Sequence, residues 1–378
     1  MLLVKKRLSA VLLASAMLAG CAAPGAEKDS SEPETAVQAV VTEAAATIQP
    51  TETTVPAVQQ ETQPRETVPE KVQQRSYMLT FVGDCTLGSS PGVYYADLGF
   101  VKTVGDNYTY PFANVIQWFA EDDFTFVNLE GPLTDVGTPV VKRYNFRGPT
   151  SFVNILLENS IEAVTIANNH SMDYGQVGYD STVAVLQEAG IPYVERDSST
   201  VVTLPDGLTI GIYGAEYSYL DKEDMVAEIT QMVQAGVDVI IYAPHWGVEG
   251  SYQNNPQERE MAYAAIDAGA HIVCGSHPHV LQPIEEYNGG VIFYSLGNFS
   301  FGGNGKPADF DTALVQQQIL VDPDGTVRLG QRVIVPCSVS SVPNLNNYQP
   351  TPYPEGTREY ARVLEKLSGT YEGPNIPH

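Results

Sequence analysis

The chain has 378 residues, 43% of them hydrophobic and 17% charged, with 20 Lys and Arg against 45 Asp and Glu for a formal net charge of −25. That composition supports a large apolar core, while the negative balance argues against general nucleic-acid binding and against charge-driven docking on anionic lipid. Four cysteines are too few for a disulfide scaffold.

In chain order, Lys5, Lys6 and Arg7 precede an unbroken apolar run over 8–18, too short to span a membrane as a mature helix. Leu18-Ala19-Gly20-Cys21 follows, with small residues before a cysteine as in the bacterial lipobox. Residues 1–21 are therefore read as a lipoprotein signal peptide, with Cys21 acylated and the exported chain lipid-anchored to the membrane at the bacterial cell surface. A plain secretory signal cut near Ala22-Ala23 is the alternative. Residues 22–76 hold no aromatic residue and carry nine acids against four bases. Such a Thr/Glu/Pro-rich segment cannot bury enough apolar surface to offset its ordering entropy, so it reads as a disordered tether. As a flexible coil it would span roughly 40 Å.

From Tyr77 the texture changes to short apolar runs between helical patterns. Strands are predicted over 78–82, 124–129, 163–167, 239–243 and 271–274, and helices over 111–120, 151–159, 175–189, 222–235 and 256–268. Alternating strands and helices imply βαβ units and a mostly parallel sheet, which binds ligands beyond the carboxyl ends of its strands. Each of the five strands delivers polar residues at that end: Asp84, Glu130, Asn168-Asn169-His170, His245-Trp246 and His277-Pro278-His279. Of the six histidines, four stand just after a strand. Imidazole with carboxylate oxygen is the ligand chemistry of Zn, Mn or Fe. His271, which begins a strand, and His378 are given no role. Residues 340–378 are rich in Pro, Asn and Tyr, and Tyr360, Val363, Leu364 and Leu367 fit one helical face, so a short docked helix is predicted there.

The order of these motifs resembles the calcineurin-like metallophosphoesterases, and more closely the CapA family of capsule and poly-γ-glutamate biosynthesis. The carriers are FVGDCTLG (81–88), FVNLEGPLT (126–134), NFRGP (145–149), ANNHSMDYG (167–175), PHWGVE (244–249), GSHPHVLQ (275–282) and YSLGNFSF (294–301). The resemblance implies a four-layer αββα sandwich over 77–339 and one or two divalent transition-metal ions. It places Asp84, His279 and a bridging Glu130 around one ion, and Glu130, Asn169, His245 and His277 around the other. Such ions polarise an ester or amide oxygen. His170, beside Asn169, would be the catalytic acid or transition-state donor. The chain departs from the pattern at the first strand, where Asp84-Cys85-Thr86 lacks the usual imidazole of Asp-x-His, and at Glu130, where the family usually has Asp and Asn128 is the alternative contributor.

Lys142, Arg143 and Arg147 form a cationic spot in an acidic domain. Arg147 is expected to grip carboxylate or phosphate bidentately, with Lys142 and Arg143 in surface ion pairs. Trp246 and Tyr174 would line the cleft or pack at its rim. Asn298 is expected to support the metal ligands, Cys85 to be a buried thiol, and Asp173 to cap the helix that starts near Tyr174.

These readings imply a metal-dependent hydrolase or transferase acting on an anionic polymer such as poly-γ-glutamate, or on a phosphoester. The alternative is a non-catalytic accessory subunit that binds the polymer or its capsule synthase complex. The lipobox yields a direct test. Intact mass of the exported protein should show acyl chains on Cys21, and Cys21→Ser should give unprocessed or released protein without lipid. Wild-type protein that starts at another residue and carries no acyl chain would refute the anchor.

Overall fold

The computed structural model describes residues 73–94 and 96–377; the signal-like stretch with Cys21, and the expected tether up to residue 72, lie outside the described residues. Fifteen strands and seven α-helices follow in order among the described residues. The amino-terminal half holds β1 (Arg75–Val82), β2 (Asp84–Thr86), α1 (Phe100–Val104), α2 (Ile116–Ala120), β3 (Phe124–Asn128), α3 (Val153–Glu158), β4 (Ala163–Thr165), α4 (Gly175–Ala189) and β5 (Tyr193–Val194). Then come β6 (Ser198–Thr203), β7 (Thr209–Glu216), α5 (Lys222–Gln234), β8 (Val239–His245), α6 (Pro256–Ala268), β9 (Ile272–Cys274), β10 (Ile284–Tyr287) and β11 (Gly290–Phe293). The chain continues through β12 (Asn298–Phe301), β13 (Asp311–Val321), β14 (Val327–Ser338), β15 (Thr351–Pro352) and α7 (Arg358–Leu367).

The strands form a seven-stranded sheet, in order β15-β14-β13-β1-β3-β4-β5, and a six-stranded sheet, in order β10-β11-β9-β8-β7-β6. In each, a parallel centre carries antiparallel strands at an edge: β1, β3, β4 and β5 are parallel in the first, and β7, β8, β9 and β11 in the second. A parallel centre fits strands that are buried on both faces and read as apolar runs. β8 shows the pattern, with Val239, Ile241 and Ala243 packed against the other sheet and Ile240 and Tyr242 packed against helices.

Three apolar clusters define four layers. Leu79, Phe81 and Phe126 of the first sheet meet Ile210, Ile212 and Ile241 of the second in the middle. The outer face of the first sheet, through Val127 and Val164, is covered by Phe100, Phe119, Ile155 and Leu186 from α1 to α4. Tyr213, Ile240 and Tyr242 on the outer face of the second sheet pack against Met225 and Ile229 of α5 and Met261 and Ile266 of α6. The architecture is the αββα sandwich that the resemblance implied.

The differences from the sequence reading have physical causes. β1 begins at Arg75, two residues inside the stretch read as tether, because Arg75 and Ser76 pair with Val321 and Leu320 of β13. The helix expected over 111–120 is a 3₁₀ turn at Tyr110–Phe112 and a short α2, separated by Val115 at φ −130°. Among the described residues no helix is long and apolar enough to cross a membrane.

Helix α7 is N-capped by the Thr357 side chain and sends Val363 and Leu367 into the inter-sheet core. Leu364, expected on the same face, is partly exposed. In its place Lys366, only 1% exposed, points inward and meets Asp309 at 2.6 Å and Asp311 at 2.7 Å. Arg362 clamps the same Asp311 through Nε at 2.6 Å and Nη2 at 2.7 Å. Burial opposes the charge on Asp311, but Arg362 and Lys366 outweigh it and hold the carboxyl below its usual range. A depressed carboxyl stabilises the fold above the unfolded-state pKa near 3.9, and the gain fades as pH falls through the native value. Asp311→Asn should therefore lower unfolding free energy by about 3–5 kcal/mol at pH 7 in urea denaturation. The gap to wild type should shrink below about pH 4; a difference independent of pH would contradict this role.

Candidate metal centre

At the end of β1 the chain turns through Gly83, where a Cβ would lie 2.1 Å from Gly297 O, so only glycine permits the crossing. Asp84 follows, its N–H donating to Gly297 O at 2.8 Å and its side chain fully buried. Asn128, at the end of β3, donates from Nδ2 to Asp84 Oδ1 at 2.9 Å. Asn168, after β4, donates from Nδ2 to Asn128 Oδ1 at 2.9 Å and to Leu129 O at 2.9 Å. These amides lock three neighbouring strand ends together and fix Glu130, two residues beyond Asn128. Glu130 is 1% exposed, and its Oε2 accepts from Thr86 Oγ1 at 3.1 Å.

The second sheet supplies the imidazoles. His245 ends β8, is 1% exposed, and places Nδ1 at 2.9 Å from Ser276 Oγ and Nε2 at 3.1 Å from Asn169 Oδ1. After β9 the chain turns through His277 (φ 98°) and His279 (φ 56°), both in the left-handed region that non-glycine residues rarely adopt. Strained backbone of this kind is held by its surroundings and clusters at functional sites. Here the bonds that hold it include His277 N donating to Asp84 Oδ2 at 3.3 Å and Asn298 Nδ2 donating to His279 O at 3.2 Å. His279 Nδ1 lies 3.0 Å from Asn298 Oδ1 and 3.1 Å from Asp84 Oδ2, which turns Nε2 toward Glu130.

The outcome is a convergence of potential ligand atoms. Glu130 Oε1 is buried without a hydrogen-bond partner, and it lies 3.7 Å from His245 Nε2 and 3.7 Å from His279 Nε2. Burial, with the neighbouring His277 and His279 rings, pushes the His245 pKa well below its usual value, so this ring stays neutral and keeps a lone pair. Burial, reinforced by Asp84, pushes the Glu130 carboxyl up. Burial opposes protonation of His279, but Glu130 and Asp84 outweigh it and hold the ring's pKa up. Carboxylate, neutral imidazole and amide oxygen around one orphaned buried oxygen fit a divalent transition metal. Among the described residues, two groups place ligand atoms within 4.8 Å of one another: Asp84, Glu130 and His279, and Glu249, His277 and His279.

Asp84, Glu130, Asn169, His245, His277 and His279 are thus brought to one place, and Asn298 does hold His279. His170 joins them: it lines a cavity of about 550 Å³ together with His279, Asn298 and Glu249. Cys85 is a buried thiol packed in the outer core, its pKa pushed up by burial.

Four expectations are corrected. Trp246 lines no cleft: it is fully buried and donates from Nε1 to Tyr294 O at 3.0 Å. It follows His245 directly, so the strand alternation sends it to the opposite face, against Tyr242 and Tyr294. Arg147 does not line the cavity; its guanidinium sits between the rings of Tyr94 at 4.7 Å and Tyr174 at 4.9 Å. Arg143, expected in a surface ion pair, is the cation that lines it. Asp173 caps nothing, and α4 starts at Gly175 without a side-chain cap. Instead Asp173 is fully buried, accepts from Phe146 N at 2.6 Å, lies 2.8 Å from His170 Nδ1 and pairs with Lys142. Lys142 also donates to Asn169 O at 2.9 Å.

Sequence reasoning missed the roles that Asn128 and Asp173 play in the site, and it missed Glu249. Asn128 and Asp173 lay in quoted motifs at strand-end or helix-start positions, where a tie to a neighbouring functional side chain is an alternative to a cap. Glu249 closes the PHWGVE motif four residues beyond His245, in a loop where no strand or helix period points it at the site.

A four-layer αββα sandwich with this edge is the fold class of the calcineurin-like metallophosphoesterases. Residues 78–303 match the model of the family described as bacterial capsule synthesis protein PGA_cap, and the chain belongs to that family. The PGA biosynthesis protein CapA of Bacillus subtilis (strain 168) is 32% identical over 225 residues, covering 53% of this chain and 59% of that protein. The capsule biosynthesis protein CapA of Bacillus anthracis is 28% identical over 271 residues, covering 64% and 63%. The chain thus matches about three fifths of the length of these relatives. Among solved structures, TT1561 of Thermus thermophilus aligns over 68% of this chain and 99% of its own, with a TM-score of 0.36 and 12% identity.

Proposed function

We propose that this domain is a metal-dependent hydrolase or transferase of capsule or poly-γ-glutamate biosynthesis, acting at the bacterial cell surface on an anionic polymer or phosphoester. The observation that carries the reading is the convergence of Glu130 Oε1, His245 Nε2 and His279 Nε2 at one buried point. The two CapA relatives, which are proteins of PGA and capsule biosynthesis, support the pathway. A lipid on Cys21 would hold the protein at the membrane.

Asp84, Glu130, Asn169, His245, His277 and His279 would hold one or two ions of Mn, Zn or Fe. Such ions act as Lewis acids on an ester, phosphoryl or amide oxygen. The chain's own groups do the rest. Asp173 faces Nδ1 of His170, which leaves Nε2 as the atom that exchanges a proton with a leaving group. Arg143, on the cavity wall, gives an anionic substrate a local counter-charge in a protein of net charge −25. Asn298 and Asp84 fix the orientation of His279.

A second reading rests on Thr86. Where the superfamily places an imidazole, this chain places a hydroxyl already engaged with Glu130. An accessory subunit that binds polymer or synthase would tolerate that loss.

Metal-loaded protein assayed on a phosphodiester panel and on poly-γ-glutamate separates the two. An enzyme should keep its metal content in His170→Ala while kcat falls about 10²–10⁴-fold. Arg143→Ala should raise KM with little change in kcat, because it acts on capture of the anion. Wild-type protein that is fully loaded and inactive on every substrate, yet binds the polymer, would establish the accessory reading.

A further inference from the structure

Glu249 stands four residues after His245, in the loop from β8 to α6. Two backbone hydrogen bonds press that loop against the histidine turn: Trp246 N donates to Ser276 O at 2.9 Å, and Gly250 N donates to Pro278 O at 2.8 Å. Pro278 is the residue between His277 and His279, so Glu249 is fixed to the same short piece of backbone as both rings. Gly247 (φ 84°) and Gly250 (φ 75°) allow the loop to fold back this way. On the far side Ile376 N donates to Gly250 O at 3.0 Å, which clamps the loop from outside.

Glu249 is partly exposed and lines the cavity that also holds His170 and His279. Its carboxylate and one nitrogen each from His277 and His279 lie within 4.8 Å of one another. A carboxylate with two imidazoles is a donor set that takes Mn, Fe or Zn and leaves positions open for substrate. The opposite side of the site is short of donors. Thr86 offers only a hydroxyl bonded to Glu130, and the Cys85 thiol is packed in the apolar core.

We infer that Glu249 is a metal ligand, donated from the His277–His279 side in place of the imidazole that the first strand lacks. The inference rests on the proposed metal centre and extends it by one residue and one direction of approach. Three carboxylates, Asp84, Glu130 and Glu249, still leave a pair of divalent ions with net positive charge toward an anionic ligand. The partial exposure of Glu249 puts its ion at the cavity mouth, where a polymer chain has access without entering the core.

The test is metal uptake, not turnover. Full-length protein stripped with chelator is titrated with Mn²⁺ by calorimetry, and bound metal is counted by elemental analysis. Wild-type protein should load. Glu249→Gln should lose one equivalent or bind it at least about tenfold more weakly, with the metal-free melting temperature unchanged. Glu249→Asp, which keeps the charge but shortens the reach, should fall between the two. Should Glu249→Gln melt lower, the Asp variant carries the test through its weakened uptake. Equal stoichiometry and affinity in wild type and both variants would overturn Glu249 as a ligand and leave the metal centre standing. Wild-type protein that takes up no metal would overturn both.

Discussion

Two carboxylates buried side by side impose the central constraint on this molecule. Asp84 and Glu130 are withdrawn from water at the edge where the two sheets meet. An uncompensated carboxylate in such surroundings is costly enough that the site must either neutralise it or surround it with donors. The chain does both in part. Asn128, His277 N and His279 serve Asp84, and Thr86 serves one oxygen of Glu130. The other oxygen of Glu130 is left facing His245 and His279 without a hydrogen bond, and that is where the proposed cation would sit. The amide chain from Asn168 through Asn128 to Asp84, the strained turn at His277 and His279, and the glycine crossing at Gly83 all follow from holding these groups in register.

The fold exists to bring those strand ends together. Neither sheet alone could build the site: the first supplies carboxylates and amides, the second supplies imidazoles. The inter-sheet core of Leu79, Phe81, Ile212 and Ile241 fixes the spacing between the two sets. At the carboxyl end, α7 is tied down by the Asp309, Asp311, Arg362 and Lys366 cluster, while Tyr371 packs on Tyr252 and Ile376 on Gly250. The end of a tail expected to carry only a docked helix, Ile376 and Pro377, thereby becomes part of the cavity wall.

How much of this was legible depended on whether a signal was local. Strands such as 78–82 and 239–243 announce themselves as apolar runs, and a histidine or carboxylate at the end of each is visible without a structure. The antiparallel pair β13 and β14 was not, because its alternation is half polar and its partner, β1, lies more than two hundred residues away. Trp246 was misplaced because the reading stopped at the strand end, although a period of two sends the neighbour of His245 to the other face. Asp173 looked like a helix cap by position; its real partners, Phe146 and Lys142, belong to a loop that only the fold brings near. The choice between Arg143 and Arg147 was equally beyond sequence, since both are cations in one loop and only Arg147 falls between Tyr94 and Tyr174.

The central claim is that a cation occupies the point shared by Glu130, His245 and His279. Crystals grown in Mn²⁺ or Zn²⁺, with diffraction data on both sides of the metal absorption edge, locate it directly. An anomalous peak is expected about 2.0–2.2 Å from Glu130 Oε1 and from the Nε2 atoms of His245 and His279. Well-ordered side chains with no anomalous density there, or metal found only at surface carboxylates, would contradict the claim.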